Sequence, residues 1–106
     1  ALTVQGALPP RARAAVGREV VDAYYAEESA KVLDPVVKFL TRHKLNVTTL
    51  SKVGNAGELI AKTAESGKFD LVIMGSRGHG ALGSLVMGSV ATKVLASSGT
   101  PVLLVR

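Results

Sequence analysis

The chain has 106 residues, 47% of them hydrophobic but with only two Tyr and two Phe, which suits one α/β domain over residues 1–106 with an aliphatic core. It contains no cysteine, which excludes disulfides, thiolate metal sites and a cysteine nucleophile and fits a reducing, cytoplasmic location. Its net charge of +5 (13 Lys and Arg, 8 Asp and Glu) is scattered, and no apolar run approaches the ~20 residues that span a bilayer, so we expect a soluble protein with neither a nucleic-acid nor a membrane partner.

The opening segment predicts a short strand. Residues 1–6 alternate in character, which places Leu2 and Val4 on one face. Pro9 and Pro10 follow, and proline is poorly tolerated inside a sheet. We therefore expect the strand to be closed by these prolines.

A long amphipathic helix is predicted over residues 16–43. Its apolar residues recur at spacings of three and four, and those expected to face inward are Val20, Ala23, Tyr24, Ala30, Leu33, Val37 and Leu40. Pro35 interrupts the pattern, so we expect either a kink or a break at which Asp34 is the N-cap of a second helix. His43 suits the end of the helix, where a cation complements the dipole.

The rest of the chain continues the alternation of strands and helices. The β-branched segment 46–53 predicts a strand, residues 57–66 a helix stopped by Gly67, and the apolar run 71–75 a strand buried on both faces. Residues 89–97 predict a helix with Val90, Val94 and Leu95 inward, and residues 101–106 a last strand. This order indicates a parallel sheet with right-handed crossovers.

Between the strand predicted over 71–75 and the last helix lies a glycine-rich segment, MGSRGHGALGSLVMGS, residues 74–89. A strand-to-helix loop of bare backbone presents N–H groups and the positive end of a helix dipole, a combination that favours phosphate. No Asp or Glu occurs from residue 71 to residue 106, so the segment is electrostatically open to an anion. We expect a ligand at this carboxyl edge of the sheet.

Two common phosphate motifs fit this segment poorly. A Walker A loop needs a lysine after its last glycine, and none follows here. Gly78, Gly80 and Gly83 do spell G-x-G-x-x-G, but a dinucleotide fingerprint also needs an acidic residue ~20 positions later, which this chain lacks. A P-loop and a dinucleotide site are therefore disfavoured.

A third pattern is more specific: Gly75, Gly78, Gly88 and Ser89 are spaced G-x2-G-x9-G-[S/T] after the strand DLVIMG and before a helix and the strand PVLLVR. In this the chain resembles the nucleotide-binding branch of the universal stress protein family, and the similarity extends to the long helix and to VGNAGELI, residues 53–60. The resemblance implies a Rossmann-like (adenine nucleotide alpha hydrolase-like) parallel sheet. It also implies bound ATP, with Mg²⁺ or Mn²⁺ as an optional companion, and a homodimer formed through the 101–106 strand.

The same resemblance implies which residues would contact an adenine nucleotide: Val4, Met74, Gly75, Ser76, Arg77, Gly78, Gly88, Ser89 and Val90. Val4 would pack on adenine and Met74 would form a wall of the site. Gly75 and Gly78, with Ser76 and Arg77 between them, would let the main chain approach the ribose and phosphates. Residues 88–90 would bring helix N-terminal N–H groups to the phosphates. The plainer alternative is that Gly75 only ends a strand and Ser89 is only an N-cap.

The family pattern begins with a strand, an Asp-bearing loop and a helix that have no counterpart before Ala1. That strand is central in the family's five-stranded sheet, so its absence would leave unpaired backbone on two neighbours, which is costly. A truncated chain, a gap filled by another chain and a rearranged sheet are the alternatives. We expect truncation.

The sequence favours binding over turnover. No carboxylate lies beside the glycine-rich segment, and neither a His, Ser and Asp arrangement nor a metal-ligand cluster can be assembled by spacing. We therefore expect an ATP-binding universal stress protein-like module with a stress-response or signalling role. The alternative is a dimeric interaction protein of the same fold that binds no nucleotide, and any enzyme activity would be at most slow ATP hydrolysis.

Overall fold

The structure, a computed structural model, describes residues 1–75 and 88–105. In chain order its elements are β1 (Leu2–Gln5), α1 (Pro10–Val16), α2 (Arg18–Arg42), β2 (Leu50–Val53), α3 (Ala56–Ser66), β3 (Val72–Gly75), α4 (Ser89–Ser97) and β4 (Val102–Val105). They form two compact units, Ala1–Asn55 and Ala56–Arg106, each with its own parallel strands and helices. The α/β class is confirmed, whereas a single domain over 1–106 stays a prediction.

In the first unit, β1 and β2 form a parallel pair, with Leu2 opposite Leu50 and Gln5 opposite Val53. The Gly54 N–H extends the pairing by donating to the Gln5 carbonyl at 2.7 Å. The strand predicted over 1–6 is confirmed, but of the segment 46–53 only the second half pairs. Within the described residues β1 has β2 as its strand neighbour and β3 has β4.

The helix α1 is a departure from the sequence-based expectation. Pro10, expected to do no more than close the strand, is the first residue of α1. Proline is well suited to that position, because its φ is already helical and the N–H that it lacks would have no partner inside the helix. The helix ends at Gly17, whose φ of 84° turns the chain into α2 and whose N–H donates to the Arg13 carbonyl at 3.2 Å.

The helix α2 runs without a break from Arg18 to Arg42, with Pro35 inside it and His43 as its C-cap. Of the two alternatives at Pro35, the break with Asp34 as an N-cap is therefore wrong, and the kink stays a prediction. Proline removes one backbone hydrogen bond from a helix interior. The surrounding turns are held by tertiary packing, since Leu33 is buried and Val37 is half-buried.

The inward face of α2 is correctly predicted only in its second half. Leu33 is buried and Ala30, Val37 and Leu40 are half-buried, as expected. In the first half, Val20, Ala23 and Tyr24 are exposed, and the inward residues are each shifted along the helix: Val21, Tyr25 and Ser29. We attribute this shift of the inward face to hydrogen bonds, because Gln5 on β1 donates through Nε2 to the Tyr25 carbonyl and to Ser29 Oγ, both at 2.7 Å.

In the second unit, β3 and β4 are parallel, with Val72 opposite Val102 and Gly75 opposite Val105. The helices α3 and α4 pack against each other, and their buried residues are mostly small: Gly57, Ala61, Thr63, Ala64, Ala91 and Val94. Small side chains let two helix backbones approach closely. As predicted, α3 stops before Gly67, whose N–H donates to the Thr63 carbonyl at 2.9 Å.

One face of the β3 and β4 pair is exposed. Ile73, Leu103 and Val105 are 65%, 51% and 50% exposed, whereas the alternate residues of both strands are half-buried. The prediction that 71–75 is buried on both faces is therefore wrong. Leu95, expected to face inward, is also exposed, and Ala91 takes the buried place on α4 beside Val94. In the described ranges, no helix has the length and apolar content needed to cross a membrane.

Candidate functional site

The helix α4 belongs to the connection between β3 and β4 in the chain. Because these strands are parallel, that connection must carry the chain back along the strands. The return is complete after α4, where the Pro101 carbonyl accepts the Val72 N–H at 2.9 Å at the amino edge. In open α/β sheets the segment that leaves the carboxyl end of a strand and leads to the next helix is where ligands bind.

The first turn of α4 carries no side-chain cap among the described residues. Gly88 is the N-cap, with extended backbone at φ −63° and ψ 155°. Its carbonyl accepts the Thr92 N–H at 3.1 Å and the Thr92 hydroxyl at 3.0 Å. The N–H groups that precede this first bond have no partner within the helix, and they point out of its amino end.

The charges around α4 favour an anion at that end. The helix has no acidic residue in its first turn, and Lys93 is the cation nearest to it in the sequence. The carboxylate of Glu65 on α3 lies at the other end, where its Oε1 accepts the Gly99 N–H at 3.2 Å just beyond α4. The dipole of α4 and the position of the Glu65 carboxylate at its other end therefore both leave the amino end of the helix positive.

Some of the predicted nucleotide-binding residues lie in the second unit. Met74 is half-buried in β3, and Gly75 is the last residue of that strand. Gly88 is the N-cap of α4, Ser89 is its exposed first residue and Val90 is half-buried. The interpretation of Ser89 as the N-cap is thus wrong, because Gly88 holds that position and Ser89 is the first residue of the helix.

The other predicted positions are distributed differently. Val4 is half-buried in β1 of the first unit, opposite Lys52 of β2. Ser76, Arg77 and Gly78 lie outside the described residues. All of these assignments stay predictions.

Sequence reasoning missed Thr92, whose side chain forms a hydrogen bond within the first turn of α4. Its hydroxyl donates to the Gly88 carbonyl and so fixes the backbone of the N-cap without occupying the N–H groups at the helix end. A threonine four residues after a glycine N-cap was the signal that could have indicated this. For the optional Mg²⁺ or Mn²⁺, residues 1–75 and 88–105 bring together no group of three or more His, Cys, Asp or Glu side chains, and that companion ion stays a prediction.

The chain is similar to several known proteins. It is 51% identical over 53 residues to the universal stress protein in the QAH/OAS sulfhydrylase 3' region of Thermus aquaticus, which is 50% of this chain and 39% of that protein. It is 35% identical over 80 residues to the universal stress protein MJ0577 of Methanocaldococcus jannaschii, 76% of this chain and 49% of that protein. The solved structure of MJ0577 superposes with a TM-score of 0.81 at 30% identity, covering 98% of this chain and 72% of that one.

These similarities confirm the Rossmann-like fold that the resemblance implied. The chain spans about half the length of the curated relatives that it matches. The model of the universal stress protein family matches residues 2–106, nearly all of the sequence. The chain therefore belongs to the universal stress protein family.

Proposed function

We propose that this chain binds an adenine nucleotide, ATP, whose phosphates lie against the 75–90 segment and the amino end of α4, in a stress-response or signalling role. The observation that carries the proposal is the first turn of α4, where the N-cap is a glycine and no side chain of the described residues caps the free N–H groups. Phosphate is the ligand that such a helix end favours, because the N–H groups and the dipole act together.

The described residues suit the phosphates of a nucleotide. Gly88 has no side chain to obstruct an approaching ligand, and the exposed Ser89 hydroxyl can donate a hydrogen bond to a phosphate oxygen. Gly75, at the end of β3, leaves the main chain bare at the strand end. Within this proposal Met74, half-buried in β3, forms a wall of the site.

The test is isothermal titration of ATP into the chain and into Gly88→Val. The φ of −63° at Gly88 is accessible to any residue, so valine introduces a side chain without straining the backbone. We expect the substitution to weaken ATP binding at least about tenfold, because it blocks close approach to the helix end.

Gly99→Val is the matched control. Gly99 lies after α4 in the same unit, and among the described residues an added Cβ there would meet Glu65 Oε1 alone, at 4.0 Å. This variant should bind ATP as the unmodified chain does. Equal ATP affinity for all three proteins would refute the phosphate assignment, and no ATP binding by any of them would favour a non-nucleotide-binding interaction protein of the same fold.

We further propose that two copies associate through the 101–106 strand. In the described residues β4 pairs with β3 alone, so one edge of β4 has backbone groups free to pair. Leu103 and Val105, 51% and 50% exposed, add apolar surface beside that edge. An exposed apolar edge strand is a ready template for pairing with a second copy.

A pair of lysine substitutions tests this association. Leu103→Lys puts a charge on β4, whereas Leu95→Lys puts one on a side chain of α4 that is 44% exposed, close to the 51% of Leu103. We expect sedimentation equilibrium to give weaker self-association for Leu103→Lys and no change for Leu95→Lys. A monomeric unmodified chain, or equal effects of the two lysines, would contradict the proposal.

A further inference from the structure

A groove lies between α1 and α2, entirely within the first unit. It is open to solvent, has a volume of about 490 Å³ and is lined by Pro10, Arg13, Ala14, Arg18, Val21, Asp22 and Tyr25. This volume is within the range of small-molecule sites, roughly 300–1,000 Å³. None of these residues belongs to the nucleotide-binding positions proposed above.

The groove combines an apolar floor with polar walls. Pro10 and Ala14 of α1 face Val21 of α2, which is buried at 5% exposure. The ring of Tyr25 closes one side, and its hydroxyl oxygen accepts the Leu8 N–H at 2.8 Å. That bond uses a lone pair of the phenol, so its O–H remains a donor.

The walls are positively charged. Arg13 and Arg18 contribute two positive charges and Asp22 one negative charge, a net charge of +1 on the lining. Arg18 Nε is 3.9 Å from Asp22 Oδ2 with both side chains well exposed, and a pair of that length in water is weak. The guanidinium groups therefore keep most of their N–H donors for a ligand.

The surrounding sequence keeps the same sign of charge. Residues 10–25, which form both sides of the groove, include three arginines against Glu19 and Asp22, a net charge of +1. This balance complements an anion.

From this juxtaposition we propose that the groove between α1 and α2 binds a small organic anion with an apolar body, such as a carboxylate or a phosphate monoester on a short alkyl chain. The head group lies between Arg13 and Arg18, and the alkyl chain lies over Ala14 and Val21. Arginine suits either head group, because its fork of N–H donors matches both bidentately.

Octanoate, octyl phosphate and 1-octanol are the probes, each titrated calorimetrically into the full chain at low salt. The two anions share the head-group chemistry and separate carboxylate from phosphate, while octanol keeps the alkyl chain without the charge. We expect at least one anion to bind about tenfold or more tighter than octanol, and its affinity to fall as salt is added. Octanol binding as tightly as both anions would overturn the proposal.

A matched arginine pair locates the site. Arg13→Gln removes a charge from the groove, whereas Arg11→Gln removes the same charge from the same helix at a residue that does not line it. We expect the first to weaken the better anion about fivefold or more and the second to change it less than about twofold. Ala14→Glu places a repelling charge in the floor and should abolish binding, with circular dichroism confirming that each variant is folded. Equal effects of Arg13→Gln and Arg11→Gln would contradict the assignment.

Discussion

Gln5 Nε2 and Ser29 Oγ are 2.7 Å apart, and this hydrogen bond connects the end of β1 to a buried serine of α2. The same Nε2 donates to the Tyr25 carbonyl at 2.7 Å, so one amide group uses two donors on successive turns of the helix. Ser29 is only 6% exposed, and water cannot readily replace its partner. These bonds therefore fix which face of α2 lies on the strand.

The first prediction concerns this connection. Gln5→Leu should lower the free energy of unfolding by about 1–3 kcal/mol, because Ser29 Oγ would be left buried without its donor. Adding Ser29→Ala to Gln5→Leu should recover part of that loss, since no unpaired hydroxyl then remains. Urea denaturation of the single and double variants measures both effects, and strictly additive losses would show that the two side chains are not coupled.

The second prediction concerns Thr63, whose Oγ1 is buried on α3 without a hydrogen-bond partner in the described part of the chain. Thr63→Val keeps the shape and removes the unpaired hydroxyl, so we expect the free energy of unfolding to rise by about 1 kcal/mol. Thr92→Val is the contrast, because the Thr92 hydroxyl donates to the Gly88 carbonyl and its removal should give no gain. If thermal unfolding finds Thr63→Val less stable than the unmodified chain, the hydroxyl has a partner after all.

The third prediction separates backbone strain from side-chain clash at two glycines. In residues 1–75 and 88–105 an added Cβ meets nothing within 4 Å at either Gly6 or Gly17, but of the two only Gly17 has a positive φ, 84°. Gly17→Ala should therefore cost about 1 kcal/mol through strain alone, and Gly6→Ala should cost nothing. Chemical denaturation compares them, and an equal effect of both substitutions would disprove the role given to φ.

The fourth prediction concerns pH and Lys31 on α2. Its Nζ donates to Glu28 Oε1 at 3.1 Å, and this bond, then the charges of Glu28 and Glu27, raise the pKa of Lys31 above its ordinary 10.5. A raised pKa in the folded state means that the interaction stabilises fully at pH values below 10.5 and is lost as the pH rises through the raised value.

The measurement is thermal unfolding from about pH 9 to about pH 12, comparing Lys31→Met with the unmodified chain. The difference between them should be small, because these side chains are exposed, and it should shrink toward the upper end of the range. The same comparison in a Glu28→Gln background is the control, because the carboxylate that accepts the bond from Lys31 Nζ is then absent and the pH-dependent difference should be reduced. A Lys31→Met difference that is constant with pH would contradict the linkage.

The sequence by itself determined the class of fold and most of the elements. Helices and strands differ in the period at which hydrophobic residues recur, and this period can be recognised in the sequence without the tertiary structure. It located β1, β3, β4, α3 and α4 to within a residue or two, and the spacing of Gly75, Gly88 and Ser89 led to the family that the comparisons then confirmed.

The contacts between elements decided the rest. Val20 and Val21 are equally apolar neighbours, so periodicity could not choose between them, and the choice came from Gln5, a polar residue distant in sequence from Ser29. The exposure of Ile73 was likewise invisible in an unbroken apolar run, because burial depends on what covers each face of a strand. The groove between α1 and α2 exists because Gly17 turns the chain between the two helices, so that Arg13 of one helix and Arg18 of the next both line it.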